Sequence, residues 1–92
     1  MMTYRHALGN VIRDTRLEKN LTLRQVSSKG VISLGHLSDV ERGRKEASSE
    51  LLLCIAYGLG VHAHELIITA GYRLGFENGH LDAAEFLEGI ST

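Results

Sequence analysis

The chain has 92 residues, 43% hydrophobic and 23% charged, with a formal net charge of −1, one cysteine and no proline. That length allows one domain with a limited core, to which dimerisation would add stability, and the apolar fraction excludes a disordered chain. No apolar run approaches the roughly 18 residues of a membrane span, and the start, Met1 to His6, lacks a signal-peptide core. Cys54 has no second cysteine to pair with, so a cytoplasmic protein is expected.

The first helix is predicted over about Thr3 to Lys19, where Leu8, Val11, Ile12 and Thr15 fall at i, i+3, i+4 and i+7. A second begins at Thr22, an N-cap whose partner Gln25 completes a capping box, with Leu23 and Val26 on its apolar side. Ser33 caps a third, with Leu37 and Val40 inward, and Gly43 closes it beside Arg42, Arg44 and Lys45. A helix, a short turn, then a helix that exits into cations is how a major-groove reader is built.

A fourth helix starts at Ser48 or Ser49. Its run Leu51-Leu52-Leu53-Cys54-Ile55-Ala56-Tyr57 is apolar nearly all round, which predicts the most buried helix. Gly58 inside it costs about 1 kcal/mol relative to alanine, and Gly60 is expected to end it. A fifth begins near His62, with Ala63, Leu66, Ile67, Ala70 and Leu74 on a stripe that continues through Gly71. From Asn78 onward, Ala83, Phe86, Leu87 and Ile90 keep helical spacing. No period-2 alternation is long enough for a strand, so the fold is all-α with five or six helices.

The net charge hides a split. Residues 1–46 carry nine Lys or Arg against five Asp or Glu, and residues 47–92 carry one against six. A basic half beside an acidic half suits a protein that turns one face to a polyanion.

Arg16, Thr22 to Val26, Ile32-Ser33, Ser38 to Gly43, Leu59-Gly60-Val61 and Glu65-Leu66 carry a resemblance to a known motif. Over roughly residues 8–71 the chain resembles the helix-turn-helix family of phage repressors and Cro, also called the xenobiotic-response-element family. The run Ser33 to Leu52 is similar to the actinobacterial subfamily that regulates Clp-protease genes. The resemblance implies a lambda-repressor-like domain of five helices, residues 1–71 with the motif at 22–43; residues 72–92 lie beyond the family domain and are expected, from their helical spacing, to form a C-terminal helical extension. It implies a homodimer on double-stranded DNA, binding a palindromic operator with recognition helices about 34 Å apart. Activation of protease or stress genes, with RNA polymerase or a protease as further partners, is implied by the subfamily. A phage or plasmid repressor, an antitoxin, and an interaction module that has lost DNA binding remain alternatives.

The resemblance implies an ion pair between Arg16 and Glu41 beneath the DNA-binding surface. Arg24, Arg42, Arg44 and Lys45 are phosphate candidates, with Arg13 a further one. Ser33, Leu34, Gly35, His36, Ser38 and Asp39 would face the groove, with Asp39 suited to cytosine N4 and Leu34 to a thymine methyl. Ile67, Leu74, Phe86, Leu87 and Ile90 form an apolar stripe suited to a dimer contact. Two departures stand out. Val31 occupies the turn position where the family usually has glycine, and Gly30 precedes it, so the turn is expected to shift by one residue. Leu34 and Gly35 stand where phage repressors often place glutamines, so DNA shape is expected to share the specificity. His62 and His64, two residues apart, are not expected to converge on a metal. Neither a nucleophile arrangement nor a glycine-rich phosphate loop is present, so no enzyme and no cofactor is expected.

Overall fold

The computed structural model describes residues 1–81, which form five α-helices and no strand. They are α1 (Tyr4–Glu18), α2 (Leu23–Gly30), α3 (Leu34–Glu41), α4 (Ser49–Leu59) and α5 (Ala63–Glu77). The first four begin at a hydroxyl cap. Thr3, Thr22, Ser33 and Ser48 accept from the backbone N–H three residues on, and Gln25 returns a bond to the Thr22 N–H. Each bond satisfies one of the N–H groups a helix start leaves open. Glu65 does the same for α5 by reaching back to the His62 N–H at 3.1 Å.

The apolar stripes of these helices close on one core built around Ile12, Val26, Leu37, Val40, Ile55 and Leu59. α1 lies against α3 and α5, and α2 lies against α4. The α2–α4 crossing is unusually close because each helix contributes a glycine. A Cβ on Gly30 would sit 2.5 Å from the Cys54 carbonyl oxygen, and one on Gly58 would sit 2.6 Å from that of Val26. Gly58 therefore gives up helix propensity to let two backbones meet.

That contact also settles the turn between α2 and α3. The turn does not shift; Gly30 stays helical against α4, and Val31 itself adopts the left-handed conformation, at φ 55° and ψ 54°. A β-branched residue is poorly suited to this region. Ile32, buried beside it, and the Ser27 hydroxyl, which donates to the Ile32 carbonyl, hold the turn in place.

α4 has Leu52, Ile55, Ala56 and Leu59 inside, but it is not buried all round: Leu53 is 62% and Tyr57 66% exposed, and Cys54 is half-buried. Gly60 closes it in the left-handed conformation. α5 runs through Gly71 unbroken to Glu77 and is tied to the start of the chain. The Met2 N–H donates to Asn78 Oδ1 at 2.8 Å, Asn78 Nδ2 donates to the Met2 carbonyl at 3.0 Å, and Arg73 meets Asp14 at 2.6 Å. The helical spacing at Ala83, Phe86, Leu87 and Ile90 lies outside the described residues.

Candidate nucleic-acid interface

α3 is fixed to the scaffold by one buried ion pair. Arg16 Nε donates to Glu41 Oε2 at 2.7 Å and its NH2 to Oε1 at 3.0 Å, a bidentate fork. The remaining terminal nitrogen donates to the Leu21 carbonyl at 3.0 Å, so the same guanidinium also clamps the α1–α2 turn. The side chains are only 11% and 5% exposed. Hydrogen bonding to Glu41 raises the Arg16 pKa against the opposing effect of burial, so the guanidinium stays charged.

With Leu37 and Val40 turned inward, the opposite side of α3 is presented to solvent. Ser33, Leu34 and Gly35 are exposed, and His36, Ser38 and Asp39 are half-buried. Around Gly35 there is open space, so a partner can approach the backbone closely there. Asp39 has a partner already: Lys45 Nζ lies 3.7 Å from its carboxylate, which offsets the charge of both. Arg24 is exposed in the first turn of α2, and Arg42 and Arg44 are exposed at the exit of α3. None of these three arginines has an ion-pair partner among the described residues. A concavity of about 390 Å³ opens between α1, α2 and α3, with Arg16 and Glu41 in its lining beside Arg13, Ser38 and Arg42.

Sequence reasoning missed Arg5 as part of this surface. Its Nε donates to the Gly43 carbonyl at 2.7 Å and its NH1 lies 3.4 Å from Glu46, so it braces the loop that carries Arg44 and Lys45. The partners are about 40 positions away in the chain, and no local pattern announces them. Asn10 was missed as well; it lines the concavity. The His62 and His64 rings do converge, stacked 5.6 Å apart, because His62 is an extended N-cap rather than a helical residue. No group of three metal-ligating side chains forms among the described residues.

Of the apolar stripe, Ile67 is 44% exposed on α5, whereas Leu74 packs partly buried against its own core. Ile68, absent from the stripe, is 50% exposed beside Ile67. Phe86, Leu87 and Ile90 lie outside the described residues. No single described helix is long and apolar enough to cross a membrane.

Comparison with known proteins agrees with this geometry. The helix-turn-helix family model matches residues 12–66. The transcriptional regulator ClgR of Mycobacterium tuberculosis is 46% identical over 70 residues, which cover 76% of this chain and 62% of that protein. The chain thus spans under two thirds of that relative's length. The crystal structure of the clp gene regulator ClgR from Corynebacterium glutamicum superposes with a TM-score of 0.79 at 37% identity, covering 97% of this chain and 95% of that one. The restriction-modification controller protein C.AhdI from Aeromonas hydrophila shares the fold at 24% identity, with a TM-score of 0.65 over 67% of this chain and 94% of that one. The five-helix fold, the paired α2 and α3 and the matched family model together show that this chain belongs to the helix-turn-helix family.

Proposed function

We propose that this chain is a sequence-specific DNA-binding transcription regulator, not an enzyme, and that it acts as a homodimer on a palindromic operator. The observation that carries the reading is α3 itself. It is locked to α1 by Arg16 and Glu41, with an open N-terminal side and, at its exit, arginines that have no ion-pair partner among the described residues. Rigidly held groups of this kind can read base edges while the arginines hold phosphates. The likeness to ClgR, described as a clp gene regulator, supports a role in gene control. Residues 1–71 then supply the DNA-reading part, with the motif at 22–43. The dimer contact falls to the exposed side of α5, at Ile67 and Ile68, together with residues 72–92.

Selecting bound fragments from genomic DNA of the source organism tests this. An inverted repeat with half-sites one helical turn apart is expected, and its place relative to promoters separates activation from repression. Fragments no more enriched than random DNA would refute it. Sedimentation tests the dimer: Ile67→Asp with Ile68→Asp should give a folded monomer with weak operator affinity. An unchanged dimer would place the contact elsewhere.

A further inference from the structure

A groove of about 550 Å³ lies where the ends of α1, α2 and α4 meet the start of α5, lined by Lys19, Lys29, Tyr57, His62 and Glu65 among others. Both lysines are exposed, and neither has an ion-pair partner among the described residues. The Lys29 ammonium stands 5.4 Å from the centre of the Tyr57 ring, where cation–π attraction keeps it at the groove. Glu65, the one carboxylate in the lining, already accepts the His62 N–H that it caps. Leu53, one turn before Tyr57, carries the exposed apolar surface on along α4. An occupant should therefore bring carboxylates and apolar side chains together. Residues 82–92 have that composition: Asp82, Glu85 and Glu88 beside Phe86, Leu87 and Ile90, with no Lys, Arg or His.

Within one subunit, the groove and this tail start at opposite ends of α5. Arg73 meets Asp14 and Asn78 meets Met2, so α5 runs antiparallel to α1 and carries the chain away from Lys19. The 15 residues of α5 amount to about 22 Å of helix. A second copy closes that distance. In an antiparallel two-fold contact centred on Ile67 and Ile68, Ala63 lies about 7 Å from the centre and the end of the partner's α5 about 14 Å out on the same side. The partner's chain then leaves its helix level with the groove.

We propose that α5 pairs antiparallel with its copy and that residues 82–92 of each subunit seat on Lys19, Lys29 and Tyr57 of the other. The proposal rests on the dimer contact placed on α5 and names the surface that receives its tail. Because Lys29 belongs to α2, each tail grips the helix-turn-helix of the opposite subunit, which helps fix the spacing of the two reading helices.

Light and isotopically heavy full chains, mixed and left to exchange subunits, test this. Zero-length carbodiimide coupling joins an amine to a carboxylate in contact, and mass spectrometry identifies the joined peptides. Lys19 or Lys29 should be coupled to Asp82, Glu85 or Glu88, with light peptides joined to heavy ones. Lys19→Glu with Lys29→Glu should weaken dimerisation in sedimentation by roughly tenfold, because each exposed charge pair occurs twice in the symmetric dimer. Both positions are exposed, so that variant should keep its helical circular dichroism. Adding Glu85→Lys and Glu88→Lys to the same chain should restore the dimer. Couplings confined to peptides of one isotope would place the tail on its own subunit and overturn the proposal. A dimer without these couplings, or a loss that the charge swap does not restore, would overturn it while leaving the α5 contact standing. An unsubstituted protein that sediments as a monomer would remove both.

Discussion

Val31 shows how a long-range contact can decide a local conformation. Two adjacent residues compete for the left-handed position, and glycine would ordinarily take it. Gly30 cannot, because the Cys54 carbonyl leaves room only for a residue without a Cβ in the helix, and the strained conformation passes to Val31. An L-residue there loses about 1–2 kcal/mol, and at 88% exposure Val31 gains little burial in return. Val31→Asn should therefore raise stability by about 1 kcal/mol in urea denaturation, and an unchanged or lower midpoint would show that the turn relaxes in solution. Glu41 predicts the opposite sign. Glu41→Ala strands a nearly buried guanidinium, so a loss of about 3 kcal/mol is expected, with part of it recovered when Arg16→Ala is added. Additive losses in that cycle would mean the pair is not coupled. Sequence made both sites visible, through the Gly30–Val31 departure and the family motif. It could not show the outcome at Val31, which depends on the distant Cys54 carbonyl packed against Gly30.

At the scale of elements, the helix starts were legible because they depend on local chemistry. Thr3, Thr22, Ser33 and Ser48 each cap a backbone N–H three residues on, within reach of any reading of adjacent residues. Packing was less legible. The apolar run in α4 does not distinguish Leu52, which is buried, from Leu53, which is exposed, since only the neighbouring helices define the inner side. Gly58 was readable only as a propensity cost. Its neighbours reverse the expected effect of substitution: alanine should gain about 1 kcal/mol in a free helix, but here its Cβ would lie 2.6 Å from the Val26 oxygen. Gly58→Ala should lose about 2 kcal/mol by forcing α2 from α4. Gly35→Ala, with open space around it, should instead gain up to about 1 kcal/mol. Thermal melts of the two variants should move in opposite directions, and a shared direction would refute the close-approach account of α2 and α4.

For the whole molecule, the charge split acquires a spatial meaning. The basic half contains the candidate reading helix and its exit loop, while the acidic half contains α5, where the proposed dimer contact lies. Not every cation in the basic half is available to a partner: Arg5 braces the loop, Arg16 is locked to Glu41, and Lys45 is shared with Asp39. The sequence total thus overstates the free charge, and Arg24, Arg42 and Arg44 are the exposed arginines that remain at the motif. Binding of DNA by these groups is the central claim, and its dependence on salt is the direct test. Log K against log salt for a duplex should fall with a slope of at least about −4 for the dimer. Arg44→Ala should flatten that slope and weaken specific and random duplexes alike. A salt-independent complex, or no complex at low salt, would contradict the account.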